Sequence, residues 1–228
     1  MYIVEVRNVN KTYRQGSTQV RALKDVTLVI KKGEFAALAG PSGSGKTTLL
    51  NIIGGLDRPD SGKVVIDGIE CTQMSNAGLA ALRLEKIGFV FQAYNLIPVL
   101  TAIENVEFVM LLQGIPAKIR RAKAKEILDE VGLEGLYDRR PSELSGGQQQ
   151  RVAVARAIVS EPAIVLADEP TANLDSKTAS GLLDIMVRMN KERGVTFIFS
   201  THDEMVMDYA HRLIHIRDGE IYNATQQP

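Results

Sequence analysis

The chain has 228 residues, 45% of them hydrophobic, enough for one large globular domain with a sizeable buried core. Its 27 Lys and Arg balance 27 Asp and Glu, which argues against nucleic acid as a partner, and one cysteine, Cys71, excludes an internal disulfide or a cysteine-based zinc site. The N-terminus lacks the pattern of a signal peptide and no run approaches the roughly 18 apolar residues of a spanning helix, so a cytoplasmic chain is expected, with any membrane role arriving through a partner.

Residues 3–9 and 21–30 alternate apolar and polar side chains, which predicts two strands, and Lys32-Gly33 turns into an apolar run over 35–39. A helix is expected over 48–53. Residues 64–66 form a strand entering a tight turn at Asp67-Gly68, and 87–91 a short apolar strand. The stretch 101–160 is helical in pattern. Thr101 and Glu104 have capping-box spacing, Pro116 suits a first helical turn, Gly132 suits its C-terminal stop, and 148–159 is a further helix ended before Pro162. From 163 the α/β alternation returns. A buried-type strand over 163–167 precedes a helix over 176–193 stopped by Gly194, a strand over 195–200 and a helix capped by Thr201 and Glu204. Residues 213–216 and 220–222 flank Asp218-Gly219 as a hairpin, and the polar tail 223–228 is expected to fray. The result is an α/β core over 1–92 and 161–222, interrupted by a helical segment over 93–160.

The strongest local signal is Gly40-Pro41-Ser42-Gly43-Ser44-Gly45-Lys46-Thr47, followed by Thr48. It matches G-x-x-x-x-G-K-[ST] between an apolar strand and a helix, the context a P-loop requires. Glycines let successive backbone N–H groups wrap around phosphates, and the helix N-terminus adds positive potential. Lys46 neutralises β- and γ-phosphate oxygens, and the Thr47 hydroxyl can ligate Mg²⁺. A second apolar strand ends in Asp168-Glu169, where open α/β sheets place their ligands. Neighbours on a strand end point differently: Asp168 can hold Mg²⁺ through water, and Glu169 can orient and deprotonate an attacking water.

Leu144-Ser145-Gly146-Gly147-Gln148 narrows the choice among P-loop proteins. A serine and two glycines opening a helix make a second anion-attracting N-terminus. One nucleotide needs one cradle, so this edge points to another subunit's nucleotide, although spacing alone leaves cis and trans open. With the following Gln-Gln-Arg-Val-Ala-Val-Ala-Arg-Ala, the pentapeptide resembles the signature motif of the ABC ATPase family. The resemblance covers nearly the whole chain. Gln92 resembles the Q-loop glutamine that touches Mg²⁺ and water, and Asn173-Leu174-Asp175 the D-loop that communicates across a dimer. His202 resembles the switch histidine at the γ-phosphate, and Tyr13 the aromatic under the adenine. The fold implied is a P-loop NTPase with a RecA-like core, an N-terminal antiparallel β subdomain and an inserted α-helical subdomain.

The resemblance also implies a mechanism. Two chains sandwich two ATP molecules head to tail, each site joining one cradle to the other chain's Ser145–Gly147 region, and a transmembrane permease subunit is driven from the cytoplasmic face of the inner membrane. The apolar segment after Gln92, residues 93–106, is expected to receive a helix of that permease. The cluster from Lys118 to Lys125 is expected to be a solvated helix face. Stretches such as Gly54-Gly55-Leu56-Asp57 and Phe91-Gln92-Ala93-Tyr94-Asn95-Leu96-Ile97-Pro98 resemble the lipoprotein-release and macrolide-export subgroup, which implies lipoproteins or hydrophobic compounds as cargo. Division-type relatives that transmit a mechanical signal without cargo share these stretches.

Overall fold

The computed structural model describes residues 1–16 and 18–226. In chain order its strands are β1 (Tyr2–Gln15), β2 (Thr18–Lys31), β3 (Phe35–Ala39), β4 (Ser61–Ile66), β5 (Ile69–Glu70), β6 (Ile87–Phe91), β7 (Ile164–Asp168), β8 (Phe197–Thr201), β9 (Arg212–Arg217) and β10 (Glu220–Gln226). The helices are α1 (Lys46–Ile53), α2 (Asn76–Lys86), α3 (Ala102–Leu112), α4 (Ala117–Glu130), α5 (Gly146–Ile158), α6 (Ser176–Arg193) and α7 (Glu204–Tyr209).

Two sheets result. An antiparallel sheet has the order β2-β1-β4-β5, and a six-stranded sheet the order β10-β9-β3-β8-β7-β6, parallel except where β10 returns on β9. Sequence pattern explains the difference. In β1, Val4, Val6 and Val9 are fully buried while Arg7 faces solvent, as expected of a sheet covered on one side. Every residue of β3 and β8 is buried, because a parallel sheet is covered on both faces. Alternate residues of β3 therefore enter different cores. Phe35 and Ala37 join Phe197, Phe199 and the apolar faces of α3 to α6. Ala36 and Leu38 join Ile198, α1 and the inner face of the antiparallel sheet.

Several sequence expectations need correction. Helix α2 was not anticipated; Ser75 caps it by accepting from the Gly78 N–H, and only Leu79 and Leu82 are buried. Both hairpin strands run longer than the alternation indicated, since their outer halves are exposed on both faces. Helix α1 begins at Lys46 and α5 at Gly146, two residues before the expected starts. Asp203, not Thr201, is the N-cap of α7; Thr201 closes β8, and its Oγ1 accepts from the Asp203 N–H. Residues 223–226 do not fray but pair with β9, while 227 and 228 lie outside the described residues.

Candidate functional site

The glycine-rich loop leaves β3 at Gly40 and enters α1 at Lys46. Its N-cap, Gly45, has φ +107° and makes no side-chain cap, whereas α2, α3, α5, α6 and α7 each carry one. The first-turn N–H groups of α1 are thus left for another acceptor. Only glycine fits at 45, because a Cβ there would lie 2.5 Å from the Ala22 carbonyl oxygen. The loop is anchored from behind: the Gly219 N–H donates to Ser44 O (3.0 Å), and the Lys24 N–H donates to Gly219 O (2.8 Å). Lys46 is 5% exposed, and its Nζ donates to Gly40 O (2.8 Å) and Pro41 O (2.9 Å). Burial pulls the Lys46 ammonium below its ordinary pKa, while Glu169 and Asp168 act in the opposite direction.

Opposite the loop stand the two carboxylates. Thr47 Oγ1 donates to Asp168 Oδ1 at 3.0 Å. Glu169 leaves the strand in a left-handed conformation, φ +45°, with its N–H donating to Ser200 O (3.0 Å). Such a conformation costs a non-glycine residue on the order of 1–3 kcal/mol, and the surroundings must hold it. Glu169 Oε1 meets His202 Nδ1 at 2.7 Å. Exposed Gln92 follows β6 directly, beside Asp168, because Phe91 and Asp168 are paired in register. These groups line a cleft of about 820 Å³ with Tyr13 at its rim. The Tyr13 hydroxyl donates to Asp57 Oδ2 (2.6 Å), and burial, with this bond, raises its pKa. Its ring, 40% exposed, keeps area for stacking.

The cleft also takes Val20, Arg21, Ala22 and Lys24 from β2, and Asp218 and Gly219 from the β9–β10 turn; the sequence marks the last two as a hairpin turn and none of the six as a site residue. The donor chemistry suits a nucleotide with Mg²⁺. Uncapped helix N–H groups and a buried lysine face an anion, and Thr47 with Asp168 offers the hard oxygens that Mg²⁺ takes alongside phosphate and water.

A family model described as ABC transporter matches residues 23–172. The chain belongs to the ABC transporter family. An uncharacterised ABC transporter ATP-binding protein of Thermotoga maritima is 49% identical over 219 residues, covering 96% of this chain and 93% of that protein. The macrolide export ATP-binding/permease protein MacB of Aggregatibacter actinomycetemcomitans is 44% identical over 227 residues, covering 100% of this chain but 35% of that longer protein. A dimeric structure of the ATP-binding cassette MJ0796 in a post-hydrolysis state, bound to ADP and Pi, matches with TM-score 0.90 and 46% identity, covering 98% of both chains. This chain is accordingly an ABC transporter ATP-binding subunit and an ATPase, and among the described residues no helix is long and apolar enough to cross a membrane.

The signature segment of this ABC ATPase lies apart from its own cleft: Ser145, Gly146, Gly147, Gln148 and Asp175 are not among the lining residues. Exposed Ser145 caps α5, accepting from the Gln148 N–H (3.3 Å), while Gln148 Oε1 accepts from the Ser145 N–H (2.9 Å). This capping box satisfies two donors internally and leaves the N–H groups of Gly146 and Gly147. Gly147 permits close packing, since a Cβ there would overlap Thr178 Cγ2 on α6. Asp175 caps α6, accepting from the Thr178 N–H (3.0 Å) and Oγ1 (2.6 Å), and those bonds hold its carboxyl below the usual range.

Proposed function

We propose that this ABC ATPase hydrolyses MgATP as a head-to-tail pair of chains and so drives a separate membrane permease. One observation carries the reading. The cleft gathers Lys46, Thr47, Asp168, Glu169 and His202, yet the exposed Ser145-Gly146-Gly147 turn lies off it, so a second chain is needed to bring a signature turn to each cradle. The dimeric state of the MJ0796 cassette supports the pairing.

In this reading Gly40 to Thr48 cradle the phosphates, Tyr13 stacks on the base, and Lys46 swings from the loop carbonyls onto phosphate oxygens. Thr47 and Asp168, with Gln92 beside them, would hold Mg²⁺, which supplies positive charge against the phosphate oxygens. Glu169 accepts the proton of the attacking water. His202 holds Glu169 through Nδ1 and keeps Nε2 for the γ-phosphate. Asp175 serves contact across the dimer. The γ-phosphate is the group both chains share, so hydrolysis removes the differential contact and favours opening.

This chain sits at the cytoplasmic face of the inner membrane and receives a helix of the permease on part of residues 93–106; Ala102, Ile103 and Val106 of that segment are buried in its own core. The likeness to the macrolide export protein MacB supports hydrophobic compounds as cargo, and lipoproteins are the other cargo that the sequence resemblance implies. The core test is Glu169→Gln with ATP: steady-state turnover is expected to vanish and a stable dimer to appear by size exclusion. Turnover at the wild-type rate removes Glu169 from its role, and a monomer under these conditions removes the pairing. Cargo is tested by purifying the complex from membranes and measuring ATP-dependent extraction of a lipoprotein from vesicles; ATP turnover without cargo movement favours the division-type alternative.

A further inference from the structure

Helix α5 buries an amide that nothing in its own packing requires. Gln150 is 0% exposed, among the apolar neighbours Val152, Ala153 and Val154. Its Nε2 donates to Pro170 O at 2.7 Å and, at a longer 3.4 Å, to Phe91 O. Its Oε1 has no partner among the described residues. An orphaned buried acceptor is costly, and an apolar side chain of the same shape would avoid that cost, so the amide acts through what its nitrogen holds.

The two carbonyls it reaches flank Gln92 and Glu169. Phe91 precedes Gln92, and Pro170 follows Glu169. We propose that Gln150 is a positioning residue, through which the signature helix sets Gln92 and Glu169 together. The Glu169 kink is pinned on one side by its N–H on Ser200 O and on the other by Gln150 on the next carbonyl. The loop after β6 is held in the same manner. Asn173 Nδ2 donates to Gln92 O (2.9 Å), and the Arg156 guanidinium, also on α5, donates to Tyr94 O (2.9 Å) and Asn95 O. Tyr94 and Asn95 have φ +58° and +50°; the Tyr94 N–H also donates to Phe91 O (3.2 Å), while the carbonyls at 92, 94 and 95 are held by side chains. Because α5 also begins with the signature turn, a shift of that helix on meeting the partner chain's nucleotide reaches this chain's own reacting groups through one amide.

This rests on the reading that Glu169 and Gln92 serve hydrolysis, and the test separates the two claims. Gln150→Met keeps the side-chain length and removes the donor, and Gln150→Leu removes it with a shorter apolar side chain. Each is expected to lower kcat for ATP hydrolysis by about 10- to 100-fold, with KM for ATP and equilibrium nucleotide affinity within about twofold of wild type. Wild-type kcat in both variants overturns the proposal. So does a loss of folding or of nucleotide affinity in both that parallels the loss of kcat, since that marks a merely structural role. Glu169→Gln is the control: if it is inactive while the Gln150 variants turn over normally, only the present proposal falls. If Glu169→Gln turns over normally, the underlying reading falls and this one with it.

Discussion

Lys46 shows how one residue serves a site at the expense of the fold. Its ammonium is buried against two loop carbonyls, and burial lowers its pKa. A folded-state pKa below the unfolded value means that folding disfavours the charged form, so a neutral side chain relieves the nucleotide-free protein. Lys46→Met is therefore expected to melt at or above the wild-type temperature without ligand, and to lose the rise that MgATP produces; differential scanning fluorimetry reads both. A lower ligand-free melting temperature would count against the first half of that expectation, and an unchanged MgATP response against the second. The residues of the P-loop and the two strand-end carboxylates were legible in sequence because one short segment supplies each group of them. Arg21, Ala22 and Lys24 were not, because β2 reaches the cleft only by crossing behind Gly45 and Gly219, a contact between segments distant in sequence. The internal capping of Ser145 by Gln148 is equally readable from its S-x-x-Q spacing.

Elements meet here with little slack. Gly88 in β6 faces the backbone of α5, and a Cβ built on it overlaps the Ala157 carbonyl oxygen. Neither backbone can rotate away, so Gly88→Ala must part the strand from the helix and should cost about 1–3 kcal/mol, the range for overpacking. Urea unfolding gives the number, and an unchanged midpoint would mean the helix yields freely. Helix α3 supplies a pH-dependent counterpart. The Thr101 N–H and hydroxyl both donate to Glu104 and hold its carboxyl below its usual pKa. A depressed carboxyl contributes stability above the unfolded value, and that contribution is lost as pH falls through the folded one. The stability of wild type over Glu104→Gln should therefore be positive at neutral pH and shrink as pH drops below about 4.3. The capping box of α3 was visible in the sequence, as were the fully apolar strands. Helix α2 escaped because its buried face is only Leu79 and Leu82, too thin a stripe for periodicity to show, although Ser75 carried a usable cap signal. The pairing of 223–226 escaped because polar residues on an edge strand carry no burial pattern.

At the scale of the whole molecule, two cores on opposite faces of the central sheet back a cleft that opens to solvent, and the proposed pairing would close it with a second chain. Stability and assembly are then linked through the nucleotide. A ligand that binds only the folded chain at a hundred times its Kd adds about 2.7 kcal/mol, which raises the melting temperature of a chain of this size by roughly 5–10 °C. That rise does not depend on protein concentration if each chain holds its nucleotide alone. If the signature turn of a second chain completes the site, the bound species is a dimer, and its stability must increase with chain concentration. Glu169→Gln makes the distinction measurable because the nucleotide is not consumed. Its melting temperature with MgATP should climb steadily over a hundredfold range of protein concentration, while the ligand-free protein stays constant over the same range. Replacing Ser145 with a bulky residue, as in Ser145→Arg, should flatten that climb yet leave the concentration-independent part intact, since Ser145 lies off the cleft of its own chain. A flat profile for Glu169→Gln itself would show that one chain holds the nucleotide unaided.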